Sequence, residues 1–300
     1  MPPRRHRVSL LGLMLLIASP QIRAHEADPQ KDQVGSGEAS TQAAATPDAG
    51  SSLFSNLQRD SDEFTLVNTR NRLSLHRPMF MMPATYSPQY EGRQTEFEFQ
   101  LSLKLRLFNR NVFFAYTQKS FWQIYNGPDS RPFRETNYDP EIFYRWQPRL
   151  ALCEGCGLDV GAEHESNGKD LPDSRSWNRL TLATYWQSEQ TLLHLKSWYR
   201  LPEKSKRDAQ DADGDDNPDI AHYYGYGELR LQQLLGHDQH ATLMLRGNPR
   251  EGKGAVEFSY SLPYGDALYL NFYVFNGYGE SLIDYNRSIT RLGIGLMLAR

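Results

Sequence analysis

From Glu96 to Leu107 the side chains alternate without a break. Phe97, Phe99, Leu101, Leu103, Leu105 and Leu107 take one phase, and Glu96, Glu98, Gln100, Ser102, Lys104 and Arg106 the other. An alternation of period two defines a strand with one apolar and one polar face. At about a dozen residues this strand is about twice the usual length in soluble proteins, and it matches what a tilted strand needs to cross a bilayer. Further strands are expected at 111–124, 135–147, 157–166, 176–187, 190–202, 219–234, 239–248, 253–262, 266–277 and 289–299, several with the same alternation (Leu243 and Leu245; Phe258, Tyr260 and Leu262; Leu292, Ile294, Leu296 and Leu298). A first strand near Leu75 to Tyr86 brings the total to about twelve, and membrane barrels of this kind normally have an even count. No window is long and apolar enough for a transmembrane helix. A chain whose backbone must satisfy itself inside lipid then has to close its sheet. The expected fold class is all-β, a transmembrane antiparallel β-barrel of about twelve strands.

Connection lengths support this reading. The turns near 109–111, 188–189, 235–238 and 263–265 are short, and the connections 125–134, 167–175, 203–218 and 277–288 are long. Short turns at one end and long loops at the other are what an outer-membrane barrel displays. The exception is 148–156 on the short side, which carries Cys153 and Cys156. A lone C-x-x-C lacks the four ligands of a structural zinc site, so in an exported chain a local disulfide is expected ahead of the alternative, a redox pair.

Export itself is read from the N-terminus. Arg4, Arg5 and Arg7 precede the apolar run from Val8 to Ala18, and Ala24 closes an A-x-A-like end. Residues 1–24 are therefore expected to be a signal peptide. Residues 25–52 are polar and too poor in apolar groups to fold. The barrel is expected within 53–300. A net charge of only -3 gives no reason to expect a nucleic-acid partner.

Chemistry concentrates in one expected hairpin. Leu158, Val160, Ala162, His164 and Ser166 share a phase, and in the next strand so do Asn178, Leu180 and Leu182. The apolar face of a membrane barrel is its outside, so His164, Ser166 and Asn178 are expected to face lipid near the outer end. If 167–175 closes a symmetric hairpin, position 164 stands opposite position 178, about 5 Å apart at Cβ. Polar side chains on a lipid-facing wall are costly and mark function. Their types fit nucleophile, base and orienter: Ser166 attacks an ester carbonyl, His164 takes its proton, and Asn178 holds the imidazole. A neutral orienter is expected here because a carboxylate at the lipid boundary is costly to desolvate. Gly168 is placed to offer a backbone N–H to an oxyanion. The loop 203–219 carries Asp208, Asp211, Asp213, Asp215, Asp216 and Asp219, a density that suits a hard cation with oxygen ligands or a solvated acidic loop.

The stretch His164-Glu-Ser-Asn-Gly-Lys, continuing to Ser174-Arg-Ser-Trp-Asn178-Arg, closely resembles the outer-membrane phospholipase A family. So do Tyr116-Thr-Gln-Lys-Ser, Pro132-Phe-Arg-Glu-Thr-Asn-Tyr138, Asp216-Asn-Pro-Asp-Ile220 and Gly277-Tyr-Gly-Glu-Ser-Leu-Ile-Asp-Tyr-Asn286, in that order along the chain. The resemblance implies a twelve-stranded barrel that hydrolyses sn-1 and sn-2 acyl esters of phospholipids and lysophospholipids. It implies Ser166 as nucleophile, His164 as base and Asn178 as orienter, with the active site towards the outer leaflet of a bacterial outer membrane. It further implies activation by calcium (Ca2+) and by homodimerisation. Carried over residue by residue, calcium is expected at the Ser174 side chain and the Lys169 backbone oxygen, with Ser130 completing the site across the dimer. Asp216 matches an acidic position linked to calcium in the monomer, and Gln118 a polar residue of the dimer interface. The chain departs from the family at Lys169, where arginine is usual, at Leu171, where an acidic residue is common, and at its non-aromatic end, Leu298-Ala-Arg300. The competing readings are a non-enzymatic barrel (porin or adhesin), another lipid-modifying barrel, and a soluble calcium-binding sandwich.

Overall fold

The computed structural model describes residues 73–90, 94–108, 110–148, 153, 155–208, 211, 214–265 and 268–300. The expected signal peptide at 1–24, the polar stretch 25–52 and the lead-in to residue 72 lie outside the described residues.

Among the described residues thirteen strands follow in order: β1 Leu73–Leu75, β2 Met79–Tyr86, β3 Thr95–Leu107, β4 Val112–Trp122, β5 Phe133–Trp146, β6 Cys156–Ser166, β7 Ser176–Gln187, β8 Thr191–Arg200, β9 Gly227–Leu235, β10 Gln239–Asn248, β11 Lys253–Tyr264, β12 Leu268–Tyr278 and β13 Ser288–Ala299. A short helix, α1 Ile220–Tyr224, stands between β8 and β9. β1 and β2 run along the same edge of β3, with Leu73 opposite Leu105 and Phe80 opposite Gln100. They are one strand interrupted at His76-Arg77-Pro78, where proline removes a ladder donor. β13 pairs back onto β2 and closes the ring, giving a twelve-strand antiparallel barrel.

The alternation read from the sequence has a physical destination on each face. Leu180 and Leu182, Val256 and Phe258, Phe272 and Val274, and Leu292 and Ile294 are exposed on the outside. Glu96, Glu98, Lys104, Arg145, Asp159, Glu163, Arg179 and Arg291 are buried inside. The barrel is apolar outside and polar within, as lipid requires. The interior charges are paired: Arg145 reaches Asp159 at 2.6 Å, Lys119 reaches Glu98 at 3.0 Å, and Arg291 bonds Glu280 at 2.5 Å with Glu96 at 3.1 Å. Exposed aromatics mark both rims. Trp146, Trp186 and Tyr264 lie beside the short turns, and Tyr86 and Tyr199 beside the long loops.

The asymmetry of the connections holds, with two differences. The link 249–252, on the long-loop side, is as short as a turn. The segment expected as one strand over 219–234 is instead α1 followed by β9. Ile220 and Tyr224, one helical turn apart, are both buried against Trp177, Trp198, Leu282 and Tyr285. Packing at a spacing of four residues overrides the strand reading, and Gly225, at φ 68, turns the chain out of the helix. Cys153 and Cys156 are disulfide-bonded, with Cα atoms 5.7 Å apart.

Candidate active site

β6 and β7 form a hairpin in the symmetric register: Ser166 opposite Ser176, His164 opposite Asn178 and Ala162 opposite Leu180. Leu180 is half exposed on the barrel wall, so Asn178 and His164, in the same phase, lie on the outer surface near the long-loop end. His164 Nδ1 and Asn178 Oδ1 are 2.9 Å apart. Asn178 carries no proton to give from that oxygen, so Nδ1 carries the hydrogen and Nε2 is left as the basic nitrogen. Ser166 shares the face two residues on, opposite Tyr138 of β5. Beside the pair the wall opens into an apolar hollow lined by Phe114, Ile142, Ala162 and Leu201.

The hairpin is stiffened from the interior. Arg179 contacts Glu163 at 3.0 Å and Glu165 at 2.9 Å and lies 3.9 Å from the centre of the Trp177 ring. The Trp177 indole donates to Glu165 at 2.9 Å. The residues alternating with His164, Ser166 and Asn178 thus fix both strands from behind.

The loop 167–175 is organised by Asn167, to which the sequence reading gave no role. This buried side chain accepts from the backbone N–H groups of Arg175 (2.9 Å) and Lys169 (3.3 Å) and donates to the Asp173 carbonyl (2.8 Å) and to Glu135 (3.4 Å). Gly168 follows with φ +64, and a Cβ there would sit 3.1 Å from the Tyr138 ring. Both the backbone and the space call for glycine.

The residues expected around calcium are only partly brought together. Ser174 Oγ donates to Asp216 at 2.5 Å. The other Asp216 oxygen already has a cation, the Lys206 ammonium at 2.5 Å. The Lys169 side chain runs away to β5, donating to the Arg134 carbonyl at 2.6 Å, 3.3 Å from Glu135, so only its main chain faces the loop. Ser130 sits exposed in the separate loop 123–132, at φ 60. Gln118 lies on β4, opposite Tyr138, and is bonded to Tyr116 and Ser120 at 3.2 Å each. The acidic loop is largely neutralised by itself: Arg200 holds Asp215 at 2.6 Å and Arg207 holds Asp211 at 2.8 Å, while Asp213 lies outside the described residues. Among the described residues no group of three or more His, Cys, Asp or Glu side chains is placed to hold a metal.

Asn178 also reaches a carboxylate outside the hairpin: its Nδ2 donates to Glu203, half-buried in the outer loop, at 3.1 Å.

Segments far apart in sequence converge above the hairpin. Glu135 and Asn137 of β5 accept from the backbone N–H groups of Ile283 (3.2 Å) and Leu282 (3.1 Å). Asn217 accepts from the Ser176 N–H at 3.2 Å, and Tyr285 donates to Asp219. Burial, reinforced by that carboxylate, pushes the Tyr285 phenol well above its usual range, so it stays a donor.

Known proteins resemble this chain in sequence and in fold. A family model described as phospholipase A1 matches residues 57–298. A putative phospholipase A1 of Neisseria meningitidis is 38% identical over 250 residues, covering 74% of this chain. The matched stretch spans 64% of that relative's own length, slightly under two thirds. The outer membrane phospholipase dimer of Salmonella typhi with bound calcium superposes with a TM-score of 0.67 at 33% identity, covering 78% of this chain and 95% of its own. An active-site mutant of Escherichia coli outer membrane phospholipase A, with asparagine changed to alanine, gives 0.66 at 33% identity, covering 78% and 95%.

Proposed function

This chain belongs to the phospholipase A1 family, and from that membership we propose an outer-membrane phospholipase that hydrolyses sn-1 and sn-2 acyl esters of phospholipids, and of lysophospholipids, through Ser166, His164 and Asn178. The observation that carries the reading is the 2.9 Å bond between His164 Nδ1 and Asn178 Oδ1 on the lipid-facing wall. Three polar side chains kept there, beside an apolar hollow of acyl-chain character, are costly without chemistry to perform.

The reaction is a two-step acyl transfer. An ester carbonyl enters from the membrane with its acyl chain against Phe114, Ile142 and Leu201. Ser166 Oγ attacks the carbonyl carbon as His164 Nε2 takes the hydroxyl proton, and Asn178 Oδ1 holds the protonated ring. The Gly168 N–H stabilises the oxyanion. On collapse the C–O bond to glycerol breaks, and His164 returns its proton to the departing alcohol. A water, losing its proton to His164, then attacks the acyl-serine. Free fatty acid leaves and Ser166 regains its hydrogen.

Calcium fits in donor type, because the Ser174 hydroxyl, the Lys169 carbonyl and the Asp216 carboxylate offer hard oxygens. When bound, calcium supplies positive charge near the developing oxyanion. Ser174 and Asp216 share that end of loop 167–175, where a bound ion would take the place of the Lys206 ammonium at Asp216. Ser130 of a second subunit is the further proposed ligand, and Gln118 the proposed interface residue, so the active form is a homodimer. The long-loop end of a barrel faces outward, which supports a site directed towards the outer leaflet.

The test is calcium-dependent release of fatty acid from micellar phospholipid. Ser166→Ala abolishes it while the barrel keeps heat-modifiable migration on a gel. Full activity in that variant overturns the mechanism.

A further inference from the structure

Asn178 has two polar atoms in its amide, and His164 uses only one. Oδ1 meets the imidazole at 2.9 Å, and Nδ2 donates to Glu203 Oε1 at 3.1 Å. A carboxylate only accepts hydrogen bonds, whereas an amide turned end for end would offer His164 a donor. Glu203 therefore selects the orientation in which Asn178 can serve His164.

The segment carrying Glu203 is fastened on both sides. Leu201 N–H donates to the Asn178 carbonyl at 2.8 Å, and Asp215 N–H to the Lys204 carbonyl at 2.8 Å. Arg200 grips Asp215 at 2.6 Å, and Lys206 grips Asp216 at 2.5 Å. The acidic residues that read as a cation loop thus hold a further carboxylate against the site.

We propose that Glu203 is a positioning residue for the reaction, the outer end of a series Ser166–His164–Asn178–Glu203, and that it supplies through the amide the negative charge an asparagine lacks. The proposal rests on the triad reading above. It accounts for the amide at position 178: an aspartate there would place two carboxylates against each other.

The test compares wild type, Glu203→Gln, Asn178→Asp and the double variant, all as full-length protein in detergent with calcium. kcat and KM are measured on micellar phospholipid, and folding is followed by heat-modifiable migration. Loss of one charge-assisted hydrogen bond corresponds to about a tenfold fall in kcat for Glu203→Gln, with KM within about twofold. In the Asn178→Asp background the same change has the opposite sign. The glutamine amide then gives the introduced aspartate a donor in place of a repelling charge, and kcat rises by about fivefold or more over Asn178→Asp alone. A residue that only pinned the loop would act with one sign in both backgrounds. A Glu203→Gln effect on kcat below about twofold, or the same factor and sign in both backgrounds, overturns the proposal. Ser166→Ala, run alongside, separates the outcomes: activity surviving in that variant rejects the triad itself, whereas its loss leaves the Glu203 comparison to stand on its own.

Discussion

Asn167 and Gly168 show how much a loop depends on two adjacent residues. The Asn167 amide ties Lys169, Asp173 and Arg175 to Glu135 with four hydrogen bonds between 2.8 and 3.4 Å. It therefore shapes the loop that holds both Gly168, the proposed oxyanion donor, and Ser174. Replacing it with alanine strands several buried groups at about 1–3 kcal/mol each. The expected result for Asn167→Ala is a fall in kcat of about tenfold or more, with a weaker calcium requirement curve, read by titrating calcium into the hydrolysis assay. Gly168→Ala forces a side chain into left-handed backbone, at about 1–2 kcal/mol, and against Tyr138. Its expected signature is a kcat loss with little change in the denaturation midpoint of the barrel. Both residues stand in the sequence motif, yet only glycine signals its role there. An asparagine beside a glycine reads as an ordinary turn residue, and nothing local reveals that one of its partners, Glu135, lies on another strand. Glu203 was harder still. It sits in a polar loop with no periodicity, and its partner is twenty-five positions back.

Among the elements, the β6–β7 hairpin was the most legible. Period-two alternation assigned the outward phase of His164, Ser166 and Asn178, and a symmetric closure of 167–175 put 164 opposite 178, which is the observed register. Turn length fixes hairpin register, so one correct loop length carried the geometry of the pair. α1 was illegible for the opposite reason. Five residues are too few to display a helical period, and the apolar character of Ile220-Ala-His-Tyr-Tyr224 fits a strand equally well. Its helical form comes from Trp177 and Trp198, which no local reading supplies. The interior charges behind the hairpin make a prediction for this scale. Arg179→Leu leaves the buried Glu163 and the half-buried Glu165 with fewer partners and is expected to destabilise the folded barrel by about 3 kcal/mol, measured by denaturant unfolding in detergent. Lys196, 3.0 Å from Glu163, keeps the loss at the lower end. Activity falls with it, because the triad rides on the same two strands.

For the whole molecule, strand count and sidedness were readable because lipid imposes one rule on every strand. The convergence of segments above the hairpin was not, because its ties join β5 to loop 279–287 and β7 to loop 201–226 across most of the chain. The proposed dimer belongs to this scale. A chelator is expected to remove hydrolysis and to reduce disulfide crosslinking of a Gln118→Cys variant together, while far-ultraviolet circular dichroism keeps its β-sheet signature. Crosslinking that ignores calcium would separate dimerisation from the metal.

The interior salt-bridge layer has an electrical consequence. Glu96, Glu98, Phe121 and Arg291 lie at one level of the barrel, and each is wholly without solvent exposure. Ions crossing there would have to strip Arg291 from Glu280, Glu96 and Glu98 and leave buried charges unpaired. Reconstituted into a planar lipid film under voltage, the barrel is expected to pass no stepwise current: a membrane protein built like a pipe would then behave as an insulator and leave the permeability barrier around it intact.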